Sequence, residues 1–334
     1  MRTLRATFAA ALAASLLVAC TAPSGTTSQR ATGSAAAKAF KIGVVYPTLN
    51  NPFFVDMQKG INQAAKDGGA TALNVSGNND VNAQTKQVED FISQGVDALI
   101  VQAVDTKGIV GALGEAKAAN IPVFTPGEAV TGADVVTAVV FNEVEDGSVD
   151  GKYVAQHVKA GAKIVELLGI QGTETAQNRQ KGFEQALKEG CPTCVIVAKQ
   201  PANYDRSQAL TVMETILQAQ PHIDAVYGAN DEMALGAIQA IKEAGREKEM
   251  FVVGNDGIAD AIAAVKDGSL AATNGIPAFI QGYAAMATAI KHLQGTKVCD
   301  KILEKSVLIT KDNVGDADKL MHNLNDRYWE SCYQ

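Results

Sequence analysis

The residues best placed for chemistry in this 334-residue chain stand directly after short apolar runs. After KIGVVY come Asn51, Phe53 and Phe54, and after IPVFT comes Glu128. The loop beyond KIVELLG leads to Arg179, and Tyr204 follows VIVAKQ. Asn230 and Asp231 follow DAVYGA, and Asp256 closes MFVVGND. These are amides, carboxylates, one guanidinium and aromatics, with no nucleophile beside a base. No nucleophile elbow, metal cluster or nucleotide loop appears, which argues against an enzyme. The set suits a polyhydroxylated ligand instead. Planar Asn, Asp and Arg groups each offer two atoms to neighbouring hydroxyls, and aromatic faces cover the C–H face of a sugar ring.

Those positions matter only if the runs are strands, because open α/β sheets bind ligands beyond the carboxyl ends of their strands. A first series reads KIGVVY, TALNV, DALIVQA, IPVFT and VVTAVV. A second reads KIVELLG, VIVAKQ, DAVYGA, MFVVGND and SLAAT. Amphipathic stretches such as NAQTKQVEDFISQG, RQKGFEQALKEG and DEMALGAIQAIKEAG lie between them. This alternation predicts parallel sheets with right-handed crossovers, and two series of similar length predict two doubly wound lobes. KIGVVYPTLNNP lacks the G-x-G-x-x-G of a dinucleotide site, and no cofactor is expected. Local roles compete at several positions. Asn51 and Pro52 suit an N-cap and first helical residue, and one phenylalanine is a candidate staple. Asp256 is a candidate cap for the helix after it. Asp231 is expected to cap the DEMALG helix while Asn230 faces the cleft.

The N-terminus sets the compartment. Arg2 and Arg5 precede an apolar run too short to span a membrane, ending in Leu17-Val18-Ala19-Cys20. This resembles a bacterial lipobox and predicts a signal peptide over 1–19 with lipidation of Cys20. Residues 20–38 are rich in Ser, Thr, Gly and Ala and read as a flexible tether. The net charge of -7 becomes -9 once the two arginines of the leader are removed, so a nucleic-acid partner is not expected. Cys191 and Cys194 follow a helix and precede a strand, the wrong end for a redox dithiol, and no histidine stands at zinc spacing. A local disulfide is expected there. Cys299 and Cys332 would then pair and pin the C-terminal tail.

From Phe40 to about Thr310 the chain resembles the periplasmic sugar-binding proteins of ABC importers, the ribose-binding branch in particular. TLNNPFF, NIPVFT, GAKIVELLGIQGT with Arg179 and KGF, KQPANYDR, NDEMALGAIQA, VVGNDG and DGSLAAT carry the resemblance. It implies two lobes joined by three crossing strands, the type I fold, with ligand trapped between them on closure. The N-terminal lobe would hold residues 39–141 and 276–305, and the C-terminal lobe 142–275 and 306–334. Asn51, Phe53, Phe54, Arg179, Tyr204, Asn230 and Asp256 match the family's ligand-contacting positions. Ribose binders have Asp-Arg where this chain has Gly127-Glu128, and a Gln where it has Ile276, with Asn274 the nearest amide. Asn142-Glu143 stand where relatives often have Asp-Asn. The resemblance implies a monomeric, extracytoplasmic protein that hands a monosaccharide, or a linear polyol, to a membrane permease. A sensor role beside a membrane receptor is the alternative. A sugar-responsive repressor shares this fold but would carry a helix-turn-helix in place of the leader.

Overall fold

The computed structural model describes residues 39–334; the leader, Cys20 and the tether expected before them lie outside the described residues. Two six-stranded sheets form the frame. The first has β1 (Lys41–Tyr46), β2 (Thr71–Ser76), β3 (Ala98–Val101), β4 (Val123–Gly127), β5 (Thr137–Val140) and β11 (Lys301–Leu303), in the order β11-β5-β4-β3-β1-β2. The second has β6 (Lys163–Leu168), β7 (Val195–Pro201), β8 (Ala225–Gly228), β9 (Phe251–Asp256), β10 (Ala272–Gly275) and β12 (Val307–Thr310). Its order is β12-β10-β9-β8-β6-β7. The orders correspond strand for strand. They part at the last member, since β11 runs parallel to β5 while β12 runs antiparallel to β10. β3, β5 and β8 are buried throughout, as expected for strands covered on both faces by helices.

The first lobe carries α1 (Pro52–Gly68), α2 (Val81–Gln94), α3 (Val110–Ala118) and α9 (Ala278–Leu293). The second carries α4 (Glu143–His157), α5 (Glu174–Gly190), α6 (Arg206–Ala219), α7 (Asp231–Glu243) and α8 (Ala259–Asp267). Each sheet is thus completed by a helix that arrives across the hinge, α9 on the first lobe and α4 on the second. Both are seated by a close approach. A Cβ on Gly60 of α1 would stand 1.9 Å from the Phe279 carbonyl oxygen, and one on Gly182 of α5 1.9 Å from that of Val144. Only glycine lets these backbones touch. Among the described residues no helix is long and apolar enough to cross a membrane.

The chain crosses between lobes at residues 141–142, 276–277 and 304–306. A further passage corrects the expected boundary of residues 306–334. After β12 and α10 (Ala317–His322) the chain returns to the first lobe. Cys332 is bonded to Cys299, Val298 pairs with Tyr333, and buried Trp329 packs on Tyr283 of α9 at 5.7 Å. The tail follows the aromatic surface that covers it and not the strand that precedes it. The second disulfide, Cys191–Cys194, closes the turn between α5 and β7.

Candidate ligand-binding site

A cavity of about 330 Å³ lies between the carboxyl ends of the two sheets. Asn51 and Pro52 build its first wall. The Asn51 side chain accepts from the Phe53 backbone N–H at 2.9 Å, and Pro52 opens α1. The helix therefore starts at the end of β1 and delivers both phenylalanines to the cavity. Their rings meet edge to face at 5.3 Å. Phe53 is buried and also packs into the core, whereas Phe54 is only half-buried.

Arg179 builds the opposite wall. It projects from α5 and is 5% exposed. Its Nε donates to Glu143 Oε2 at 2.6 Å, and its Nη1 donates to the Ala229 carbonyl at 3.0 Å and to Asp256 Oδ1 at 3.1 Å. Nη2 makes no hydrogen bond to protein among the described residues. Burial alone would lower the Arg179 pKa, but Glu143 and Asp256 outweigh it and hold the guanidinium charged. Burial pushes the Asp256 carboxyl up, against the pull of Arg179. Asp256 has φ 133° and Tyr204 φ 61°, backbone conformations that L-residues adopt only where the surroundings impose them. Both residues line the cavity.

Glu128 follows β4 of the first lobe, where Gly127 turns with φ 84°. Its Oε1 accepts from the Thr175 backbone N–H at 2.9 Å and from the Thr175 hydroxyl, both in the first turn of α5. A carboxylate of one lobe thus sits at a helix N-terminus of the other, where the dipole favours it. Burial still raises its pKa, against the Thr175 bonds. The lobes are therefore in contact across the cleft, and the structure is a closed one.

Eight of the nine residues expected to contact ligand line this cavity: Asn51, Phe53, Phe54, Glu128, Arg179, Tyr204, Asn230 and Asp256. Asn274 does not. It is fully buried beneath the hinge, and its Nδ2 reaches Asp146 Oδ1 at 3.5 Å. The neighbouring pair is also reassigned. Asn230, not Asp231, caps α7, accepting from the Met233 N–H at 3.0 Å. Asp231 Oδ2 instead holds the Gly257 and Ile258 N–H groups at 2.7 and 3.0 Å. Glu143, Gln102 and Gln281 also line the cavity and were not read as site residues. Gln102 stands just beyond β3, so the strand-end rule would have found it. Glu143 follows β5 and stands out in the sequence only as a departure from the family's Asp-Asn, whereas Gln281 lies inside a helix, where strand ends give no signal. Gln102 Oε1, Gln281 Oε1 and Tyr204 Oη are buried without a protein partner among the described residues. Among the described residues no group of three His, Cys, Asp or Glu side chains is arranged to hold a metal ion.

Residues 42–297 match the model of a periplasmic binding protein domain. The ribose import binding protein RbsB of Bacillus subtilis is 40% identical over 261 residues, 78% of this chain and 84% of that protein. A xylitol-binding protein of Mycolicibacterium smegmatis is 34% identical over 288 residues, 86% of this chain and 81% of that one. Among solved structures, the Caulobacter myo-inositol binding protein bound to myo-inositol superposes with a TM-score of 0.80. It is 28% identical and covers 84% of this chain and 96% of its own.

Proposed function

This chain belongs to the periplasmic binding proteins and is an extracytoplasmic solute-binding protein, not an enzyme; from that premise we propose that its ligand is a neutral monosaccharide, a pentose or hexose. The observation that carries this reading is the pairing of walls. An aromatic face, Phe53 and Phe54, stands opposite a guanidinium already fixed by Glu143 and Asp256. The aromatic face suits ring C–H groups, while Arg179, Asn230 and the unpartnered glutamine oxygens suit hydroxyls. Two carboxylates, Glu143 and Asp256, already pair the buried cation, which disfavours phosphorylated or uronic sugars.

A linear polyol is the second reading. It is favoured by the xylitol-binding relative and by Glu128, which stands where ribose binders carry arginine and is turned toward Thr175. In either case ligand contacting both lobes stabilises the closed form, which then docks as a monomer on an ABC permease. Handing over to a membrane receptor would use the same closed form. The N-terminal sequence supports export and anchoring through lipidated Cys20. Calorimetric titration with pentoses, hexoses, linear polyols, a uronate and a sugar phosphate tests the proposal. Micromolar or tighter binding to one neutral member is expected; binding to none of them, or preference for an anionic one, overturns it.

A further inference from the structure

The three crossings are joined beneath the cleft by one side chain. Asp146 lies in the first turn of α4, just after the first crossing, and is 2% exposed. Its Oδ1 accepts from Ser306 Oγ, in the third crossing, at 2.5 Å. The same oxygen faces Asn274 Nδ2, two residues before the second crossing, at 3.5 Å. Oδ2 of Asp146 and Oδ1 of Asn274 are both buried without a partner among the described residues. An ionised carboxylate leaves Oδ2 a buried charged acceptor with nothing donating to it, and protonation relieves that burial of its charge.

We propose that Asp146 is the positioning residue of the hinge, a hub whose protonation holds the three crossings in the closed arrangement. Ser306 lies in the three-residue link between β11 and β12, where backbone torsions must change if the lobes swing apart. Swinging would draw Ser306 from Asp146 and admit water to the carboxyl. Burial raises the Asp146 pKa to about 6, with Glu143 adding to it and Ser306, Arg179 and Asn274 opposing. The charged groups facing it are Glu143 and Asp150 on its own helix and Arg179 on α5. Asp150 is bonded by Asn255 Nδ2 at 2.9 Å within the second lobe, away from the crossings.

The sign follows from the raised value. If the open hinge hydrates the carboxyl, it titrates there in the ordinary carboxylate range. The closed form then binds the proton more tightly, so closure is favoured at low pH and lost as pH rises through about 6. The closed-to-open ratio would change by up to about a hundredfold.

Small-angle X-ray scattering of the unliganded protein from pH 4.5 to 8 tests this without any sugar, so its outcome is independent of the ligand panel. Wild type is expected to contract as pH falls, with a midpoint near 6 that is missing from Asp146→Asn, which stays compact throughout. Ser306→Ala removes a bond that favours the charged form, keeps the carboxyl, and should move the midpoint upward. Should Asp146→Asn fail to fold, the Ser306→Ala midpoint decides alone. Identical profiles for wild type and Asp146→Asn, or an unmoved Ser306→Ala midpoint, overturn the proposal.

Discussion

The two lobes share a strand order yet bring opposite chemistry to the cleft. The first contributes an aromatic wall on α1, with half-buried Phe54 free to be covered. The second contributes a charged clamp whose bonds, Arg179 to Glu143, Ala229 and Asp256, are made within the protein itself. A side chain already fixed loses little freedom on binding, so the second lobe is preorganised for orientation. The first lobe offers area that becomes useful only on closure.

The largest expected effect breaks the clamp. Arg179→Ala leaves Glu143 and Asp256 buried without their cation and should lower stability by about 3–5 kcal/mol in denaturant titration, with sugar binding lost. Arg179→Lys should restore stability more than affinity, since charge returns without the fork. The disulfides distinguish the lobes next. Replacing Cys299 and Cys332 by serine opens a link across 33 residues and should destabilise by about 3–4 kcal/mol. Replacing Cys191 and Cys194, separated by 3, should lower stability by about 1.5–2 kcal/mol.

Alanine at Gly60 or Gly182 forces a helix pair apart, at about 1–3 kcal/mol each. Calorimetry should show the greater loss of affinity for Gly182→Ala, because α5 carries Arg179; equal losses would mean the clamp is no more geometry-dependent than the wall. Phe54→Ala should weaken binding by about 1–2 kcal/mol at nearly unchanged stability. Glu128→Gln should change affinity by less than about 1 kcal/mol, since the carboxyl serves Thr175 at a partly solvated rim. Burial raises the Glu128 pKa, so part of the gain in wild-type affinity as pH falls should be missing from the glutamine variant. A hundredfold loss would make Glu128 a ligand contact instead of a bridge between lobes.

Much of this architecture was legible because parallel strands are short, apolar and separated by helices, and because one rule locates their ligand end. That rule found Arg179 and Asp256 but not their relation. Nothing in KIVELLGIQGT or VVGND says that a single guanidinium joins Glu143 and Asp256. Asn274 was misread because proximity to a crossing in sequence does not set which face of β10 a side chain takes. β11 and β12 went unread because runs of three and four residues carry too little periodicity. The tail was assigned by chain order, while Trp329 and Cys332 answer to a surface on α9 and to Cys299.

The returning tail has a practical consequence. The described chain enters through β1, and its last residue is bonded back to the first lobe, Gln334 N–H to the Lys297 carbonyl at 2.9 Å. A surface or bead coupled at Gln334 would therefore grip the first lobe and leave the second to swing. A fluorophore placed there would stay still relative to its own lobe during capture. An optical sensor built from this protein needs its second dye on the other lobe, for example on exposed Lys242 of α7.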